Sequence, residues 1–127
     1  MKKIFMALLA MSFSLPAFAE WVSYHRNADV EEFYDNKFVS RDGGVIRLWT
    51  MSDYAKPITS LEGQELLSEK FFTTVDCTSR KTGSEKVMKY AGHRADGKLL
   101  ATMDTVLRLT NIRQGSSDEV LMDRICR

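Results

Sequence analysis

The segment Lys70–Cys77, with the sequence KFFTTVDC, contains the residues that decide the fold of this chain. Its β-branched and aromatic side chains are typical of a strand, in which alternate residues point to opposite faces. This alternation places Phe71, Val75 and Cys77 on one face. Cys126 ends a short amphipathic segment that we predict to be a helix. If Cys77 and Cys126 form a disulfide, the helix is attached over the Phe71 and Val75 face.

Residues 1–19 have the pattern of a secretory signal peptide. A start with two lysines precedes an apolar run that is too short to span a bilayer, and the run ends in the small-x-small sequence of Ala17–Ala19. We expect cleavage between Ala19 and Glu20, which leaves a single mature domain of residues 20–127; the alternative is a buried N-terminal helix. Because no cysteine lies at the cleavage site, we expect a periplasmic or secreted protein without a lipid anchor.

The predicted mature chain is close to neutral. Removing the two signal-peptide lysines from the 18 Lys and Arg residues leaves 16 basic against 17 acidic residues, a net charge of −1. Nucleic-acid-binding domains usually carry a strong basic excess, so the composition argues against a nucleic-acid partner. No second apolar run approaches the length of a membrane-spanning helix.

The two cysteines, Cys77 and Cys126, both lie in the mature chain. The signal resembles a bacterial one, and exported bacterial proteins first meet the oxidising periplasm, where an even pair indicates one disulfide. A redox-active pair and a zinc site are the alternatives. The two cysteines do not have the Cys-x-x-Cys spacing of a redox-active pair, and a zinc site needs three or four ligands. A structural disulfide is therefore favoured.

Alternating hydrophobicity predicts five to six strands, of which Val45–Tyr54 is the longest clear one. The sequences Asp42-Gly43-Gly44 and Asp96-Gly97 favour tight hairpins and therefore antiparallel pairing. We predict Ala55–Gln64, which contains a proline, to be the longest loop. Thr105–Arg113 either extends a strand or forms an irregular cover. The predicted fold class is α+β, with a single antiparallel sheet and a C-terminal helix tethered to one face by the disulfide.

The C-terminal helix has clear signals at its start. Ser116 is a plausible N-cap, and Glu119, three residues later, completes a capping box. Asp118 and Glu119 lie in the first turn and Arg124 in the last, which suits the helix dipole.

Few residues are of the types that carry catalysis. His25 and His93 are the only histidines, and no strained nucleophile turn such as Gly-x-Ser-x-Gly accompanies them. Glu31 and Glu32 are neighbours in a predicted strand, so they point to opposite faces and do not share a substrate. The sequence contains no metal-ligand spacing and no phosphate-binding loop. We therefore predict a non-enzymatic protein without a metal or cofactor.

Two sets of side chains favour a binding role. Basic residues between two predicted turns could form a patch for an acidic partner or glycan, or could only protect an edge strand from unwanted pairing. Aromatic residues could leave an interaction or dimer surface on the face away from the helix, or could be ordinary core. The basic candidates are Arg80, Lys81, Lys86, Lys89, Arg94 and Lys98, and the aromatic candidates are Trp21, Trp49, Phe72 and Tyr90.

The order and spacing of several short motifs resemble the bacterial surface-adhesin protein E family. The resemblance implies a small antiparallel sheet whose C-terminal helix is tethered across the concave face by the two cysteines. It also implies an envelope protein that adheres to host extracellular-matrix proteins; the namesake adhesin looks lipid-anchored, whereas this chain has no cysteine at its cleavage site. The motifs are Trp21-Val22, Phe33-Tyr34-Asp35, Gly44–Trp49 leading to Asp53-Tyr54, Asp76-Cys77 followed by Arg80, Tyr90-Ala91-Gly92, and Ile125-Cys126.

Three functional hypotheses follow from these observations. The first is a non-enzymatic secreted or periplasmic binding module whose partner is a protein such as a host matrix protein. This hypothesis is also compatible with a homodimer. The second is a periplasmic accessory protein that holds a small apolar ligand between helix and sheet. The third is a small hydrolase centred on His25 or His93, which requires a nucleophile within hydrogen-bond reach of the imidazole.

Overall fold

The computed structural model describes residues 18–127, so the first 17 residues of the predicted signal peptide lie outside the described residues. This part of the chain forms eight strands, one 3₁₀ turn and one α-helix. The elements are β1 (Trp21–Arg26), β2 (Val30–Asp35), β3 (Ser40–Asp42), β4 (Val45–Thr59), β5 (Glu65–Asp76), β6 (Lys81–Tyr90), the 3₁₀ turn (His93–Ala95), β7 (Leu99–Asp104), β8 (Thr110–Asn111) and α1 (Ser117–Ile125).

All eight strands belong to one antiparallel sheet. The main order is β1-β2-β4-β5-β6-β7, while β3 pairs with the start of β4 and β8 with the start of β6. The predicted α+β class and single antiparallel sheet are confirmed, but five to six strands was too few. β3 overlaps Phe38–Arg41, for which the sequence predicts a brief strand, whereas β8 has only two residues, too few for alternating hydrophobicity to reveal.

The segment KFFTTVDC forms most of β5, which lies at the centre of the sheet between β4 and β6. The register places Leu48 opposite Thr73 and Ile46 opposite Val75. These side chains point to the face on which α1 packs, and we call this the helix face. Trp49 and the other intervening residues of β4 and β5 point to the other side of the sheet, which we call the opposite face.

The main core lies between α1 and the helix face. A disulfide joins Cys77, directly after β5, to Cys126, directly after α1. The predicted pairing of the cysteines is therefore confirmed, as is the side of the sheet that the helix covers. The buried residues of this core are Ile46, Leu48, Val75, Leu121, Met122 and Ile125.

The 3₁₀ turn packs against the opposite face near one end of the sheet. The backbone N–H of Ala95 donates to the hydroxyl of Ser68 (2.8 Å), and this hydroxyl donates to the carbonyl of Gly92 (2.5 Å). Ser68 is fully buried, so both of its hydrogen bonds replace contacts with water. The turn thereby covers part of a second set of buried side chains, which includes Phe33 and Met51.

The first half of the segment Ala55–Gln64, which was predicted to be a loop, is strand. β4 continues to Thr59, and only residues 60–64 connect it to β5. The register jumps from the pair of Asp53 and Ser68 to the pair of Ile58 and Leu66. Residues 54–57 therefore bulge, and Pro57 sits where the ladder needs no N–H donor. The proline marked an irregularity within the strand rather than its end.

The N-cap of α1 is formed as predicted, with one difference. The hydroxyl of Ser116 accepts a hydrogen bond from the backbone N–H of Glu119 (3.3 Å). The side chain of Glu119 reaches back to the N–H of Gly115 (3.2 Å) rather than to that of Ser116. Its second carboxylate oxygen lies 3.2 Å from the guanidinium of Arg80, which links the helix start to the β5–β6 turn.

Replacing Ser116 with alanine is expected to lower the free energy of unfolding by about 1 kcal/mol, because the N–H of Glu119 then loses its cap. Urea denaturation of residues 20–127 measures this change. Ser117→Ala is the matched control, since the described residues show no capping bond from Ser117, and its effect is expected to stay within about 0.5 kcal/mol. Equal effects of the two substitutions would contradict the assigned cap.

Candidate binding surfaces

A cluster of aromatic rings and one lysine lies at the centre of the opposite face. The rings of Trp49 and Phe72 pack with their centroids 5.2 Å apart. The ammonium of Lys70 lies 4.9 Å from the centroid of the Trp49 ring and 5.8 Å from that of Tyr90. We call these four residues the aromatic–lysine cluster. It places a cation among ring faces, which attract positive charge.

The environment of Lys70 removes part of its hydration. Burial lowers the pKa of its ammonium, and the negative charge of Asp35 acts in the other direction. A lysine that is half-buried between rings has fewer water molecules to lose when an anionic group approaches. The aromatic–lysine cluster is therefore suited to an acidic group on a partner.

Arg94 adds a second cation at the edge of the opposite face. Its guanidinium carbon lies 5.0 Å from the centroid of the Phe33 ring. The carboxylate of Glu31 is 3.9 Å away, and 64% of the arginine side chain is exposed. An ion pair this open is worth little, so the arginine charge stays available to a partner.

The predicted basic residues do not form one patch. Lys86 lies opposite Phe72 and points to the opposite face, whereas Lys89 lies opposite Glu69 and points to the other side of the sheet. Lys81 begins β6, about 30 Å along the strand from its end, and lies opposite Asp76. Lys98 is exposed in the connection before β7. Of the basic candidates, Lys81, Lys86 and Arg94 lie on the opposite face, but Lys81 is at the far end of β6 from Arg94.

The strand register explains why the basic residues separate. From Lys86 to Tyr90, β6 alternates regularly, so Lys86 and Lys89, three positions apart, point to different faces. The predicted basic patch consists of neighbours along the chain and omits Lys70, which the sheet brings between Trp49 and Tyr90. One signal for Lys70 was present in the sequence. Lys70 and Phe72 are two positions apart in a predicted strand, so both point to the face away from Cys77.

Both histidines pair with carboxylates. The Nδ1 atom of His93 lies 2.9 Å from a carboxylate oxygen of Asp53, which also accepts the backbone N–H of Arg94 (3.0 Å). These contacts fix the 3₁₀ turn against β4. The Nδ1 atom of His25 lies 3.2 Å from a carboxylate oxygen of Glu32.

The described residues give the hydrolase hypothesis no support. Neither histidine is hydrogen-bonded there to a Ser, Thr or Cys side chain that could act as a nucleophile. Within residues 18–127, no group of three or more His, Cys, Asp or Glu side chains could hold a metal ion.

A cavity of about 330 Å³ lies between α1 and the helix face, beside the main core. The second hypothesis required such a space. Its lining is mainly polar, however, and this argues against the apolar ligand proposed for it. Hydroxyl and carboxylate side chains outnumber the apolar ones; the lining residues include Glu32, Thr50, Thr73, Ser84, Asp118 and Leu121.

The whole described domain matches one known family. The model of the surface-adhesin protein E family matches residues 21–127. The chain belongs to the surface-adhesin protein E family. This assignment agrees with the resemblance of the motifs, and it covers all the strands and the helix that the structure describes.

Solved structures of protein E from Haemophilus influenzae have the same fold. One matches with a TM-score of 0.67 and 10% sequence identity over 87% of this chain and 86% of that chain. A second, from a non-typeable strain, matches with a TM-score of 0.64 and 11% identity over 87% of this chain and 79% of that chain. No curated protein sequence matches the chain. At this identity the likeness shows the fold alone.

Of the helices in residues 18–127, none combines the length and the apolar character that crossing a bilayer requires.

Proposed function

We propose that this member of the surface-adhesin protein E family is a non-enzymatic, adhesin-like envelope protein that binds a host extracellular-matrix protein through the opposite face of its sheet. In this proposal the protein is exported by cleavage between Ala19 and Glu20, and it reaches the periplasm, the cell surface or the medium. The family assignment and the disulfide support an exported protein.

The aromatic–lysine cluster carries the proposal. The helix is tethered to the other side of the sheet, so Trp49, Lys70, Phe72 and Tyr90 lie on the face that α1 leaves free. Aromatic side chains and arginine are enriched at the centres of protein interfaces. Lys86 and Arg94 add positive charge around the rings. Their ion pairs with Asp104 (3.8 Å) and Glu31 (3.9 Å) are open to solvent and therefore weak, so both charges favour a partner surface that carries carboxylates.

Replacing Lys86 with glutamate is expected to weaken binding to a matrix protein at least several-fold, because it reverses a charge on the opposite face. The measurement is surface plasmon resonance with residues 20–127 and a panel of purified matrix proteins. Lys89→Glu is the matched control, since it makes the same change on the same strand but on the other side of the sheet, and we expect it to alter the dissociation constant less than about twofold.

Three outcomes would count against this proposal. No binding by the unmodified domain to any matrix protein would remove the adhesive function. Equal loss in the Lys86 and Lys89 variants would show that net charge, rather than the opposite face, decides binding. Concentration-dependent dimerisation lost in the Lys86 variant alone would show that the face binds a second copy of the chain instead.

Cell fractionation tests the exported location separately. We expect the protein in the periplasm, on the surface or in the medium, with Glu20 as its first residue by mass spectrometry. Recovery in the cytoplasm with an intact N-terminus would contradict export.

A further inference from the structure

We propose that two copies of this chain associate through β7, whose free edge pairs antiparallel with β7 of the second copy and continues the sheet across both molecules. This association is independent of the proposed adhesive function. β7 is the last strand in the main order of the sheet, and within residues 18–127 it pairs with β6 alone. An edge strand presents unpaired backbone groups, which can form a ladder with another strand.

The hydrogen bonds of β7 identify the backbone groups that are free. The N–H of Thr105, directly after the strand, donates to the carbonyl of Glu85 (2.9 Å), so the backbone of Thr105 points towards β6. Backbone groups alternate along a strand. Those of Met103 therefore also point towards β6, whereas those of Thr102 and Asp104 point outwards. Within the described residues no strand lies beside these outward groups, so they are available to a second strand.

β7 has little protection against strand addition. Its sequence, LLATMD, contains no proline and no lysine, and its one charge lies at its end. A bulge at the start of the strand leaves the residues from Ala101 to Asp104 regularly paired with β6. Leu99 and Met103 are 43% and 46% exposed. An edge with few charges and exposed apolar side chains favours pairing with another strand.

The other end of the sheet is better protected. α1 contacts β1, and a register irregularity between Ser23 and His25 interrupts the course of β1. β1 also ends in the charged residue Arg26. Bulges, charges and a covering helix all oppose strand addition at an edge. β7 is therefore the edge to which a further strand is added.

The charges at the two ends of β7 select a second copy of the chain as the partner. Lys98 precedes the strand and Asp104 ends it, and both side chains are exposed. When two identical strands pair antiparallel, the Lys98 end of each copy lies beside the Asp104 end of the other, so opposite charges meet at both ends. Asp104 also lies 3.8 Å from Lys86 of its own copy, but this carboxylate is 80% exposed and stays available.

The pairing has two-fold symmetry about Thr102. Thr102 of one copy lies opposite Thr102 of the other, and the two exchange both backbone hydrogen bonds because their groups point outwards. Ala101 of each copy then lies opposite Met103 of the other. Opposed residues point to the same face, so the aromatic–lysine clusters of both copies lie on one side of the joined sheet. Because β7 is short, we expect a weak, reversible dimer with a dissociation constant of about 100 µM.

Sedimentation equilibrium of residues 20–127 between about 5 µM and 1 mM tests this association. We expect the average mass to rise with concentration from that of a monomer towards that of a dimer. Thr102→Pro removes the outward N–H without removing a hydrogen bond to β6, and it should leave the protein monomeric. Thr102→Ala is the matched control, since it keeps the N–H at the same position, and its dissociation constant should stay within about threefold of the unmodified value.

Charge reversal gives a second test that does not involve proline. Asp104→Lys places like charges at both ends of the paired strands and should weaken the dimer at least about tenfold. Adding Lys98→Asp to the same chain restores opposite charges and should restore the dimer. Lys86→Glu changes a charge on the opposite face and leaves the edge groups in place, so it should still dimerise.

Any of four results would overturn the proposal. These are a monomer at every concentration, a dimer that persists in Thr102→Pro, equal loss in Thr102→Ala, and loss in Lys86→Glu alone. Circular dichroism shows whether each variant is folded. If the proline variant does not fold, the charge-reversed variants decide: a dimer unchanged by Asp104→Lys, or one that the double reversal does not restore, would contradict pairing through β7.

Discussion

Replacing Cys77 with serine is expected to lower the free energy of unfolding by about 2–5 kcal/mol. The disulfide joins residues 49 positions apart in the sequence. Without it, the unfolded chain gains conformational freedom, and α1 is held to the sheet only by its short apolar side, formed by Leu121, Met122 and Ile125. For a domain of this size, such a loss corresponds to a fall of roughly 10 °C or more in the thermal midpoint.

Two comparisons separate the effect of losing the disulfide from any effect of the serine side chain. Cys126→Ser removes the same bond from the other end and should give the same loss, and the double variant should lose no more than either single variant. Full reduction of the unmodified protein should lower its midpoint to a similar value. An unchanged midpoint in Cys77→Ser, or two free thiols in protein isolated from the periplasm, would contradict the structural role of this bond.

Replacing Leu48 with alanine is expected to cost about 2–5 kcal/mol of unfolding free energy. Leu48 is 0% exposed at the centre of the helix face and packs in the same core as Leu121 and Ile125. Truncation leaves a void beneath a helix that is fixed at its end by the disulfide, so the gap closes only in part. Urea denaturation monitored by circular dichroism measures the loss.

The chain offers a matched control for this substitution. Leu61 is fully exposed in the connection between β4 and β5, so Leu61→Ala removes the same atoms without opening a cavity. We expect its effect to stay within about 0.5 kcal/mol. Similar losses at the two positions would show that the core does not lie where the structure places it.

The sequence was informative about the framework because its signals were local or covalent. The composition of KFFTTVDC predicts a strand, Ser116 and Glu119 predict the start of α1, and two cysteines in an exported chain predict one bond. Together they placed the helix on the correct side of the sheet. Alternation in β5 sufficed for this step, since Val75 and Cys77 point to the same face.

The sequence was less informative where pairing between distant segments decides the outcome. The bulge at Pro57 depends on how β4 meets β5, and β8 exists because Thr110 and Asn111 pair with the start of β6. The cluster around Lys70 requires β4, β5 and β6 to be in register. No spacing within one segment encodes these neighbours, so the basic residues of β6 were grouped by sequence distance rather than by face.

The four methionines of residues 20–127 allow a direct test of which face binds the partner. Met88 lies opposite Lys70 in the register, on the opposite face. Met103 lies opposite Val87, whose side chain points to the other side of the sheet. Met122 belongs to α1 and is buried between the helix and the sheet. Met51 is buried on the opposite face.

The measurement is an NMR titration of ¹³C-methyl-methionine protein with a matrix protein that binds the domain. We predict that the methyl resonance of Met88 shifts or broadens as the binding sites fill, while those of Met103 and Met122 stay unchanged. Saturated binding that moves Met103 or Met122 and leaves Met88 in place would contradict the assignment of the partner site to the opposite face.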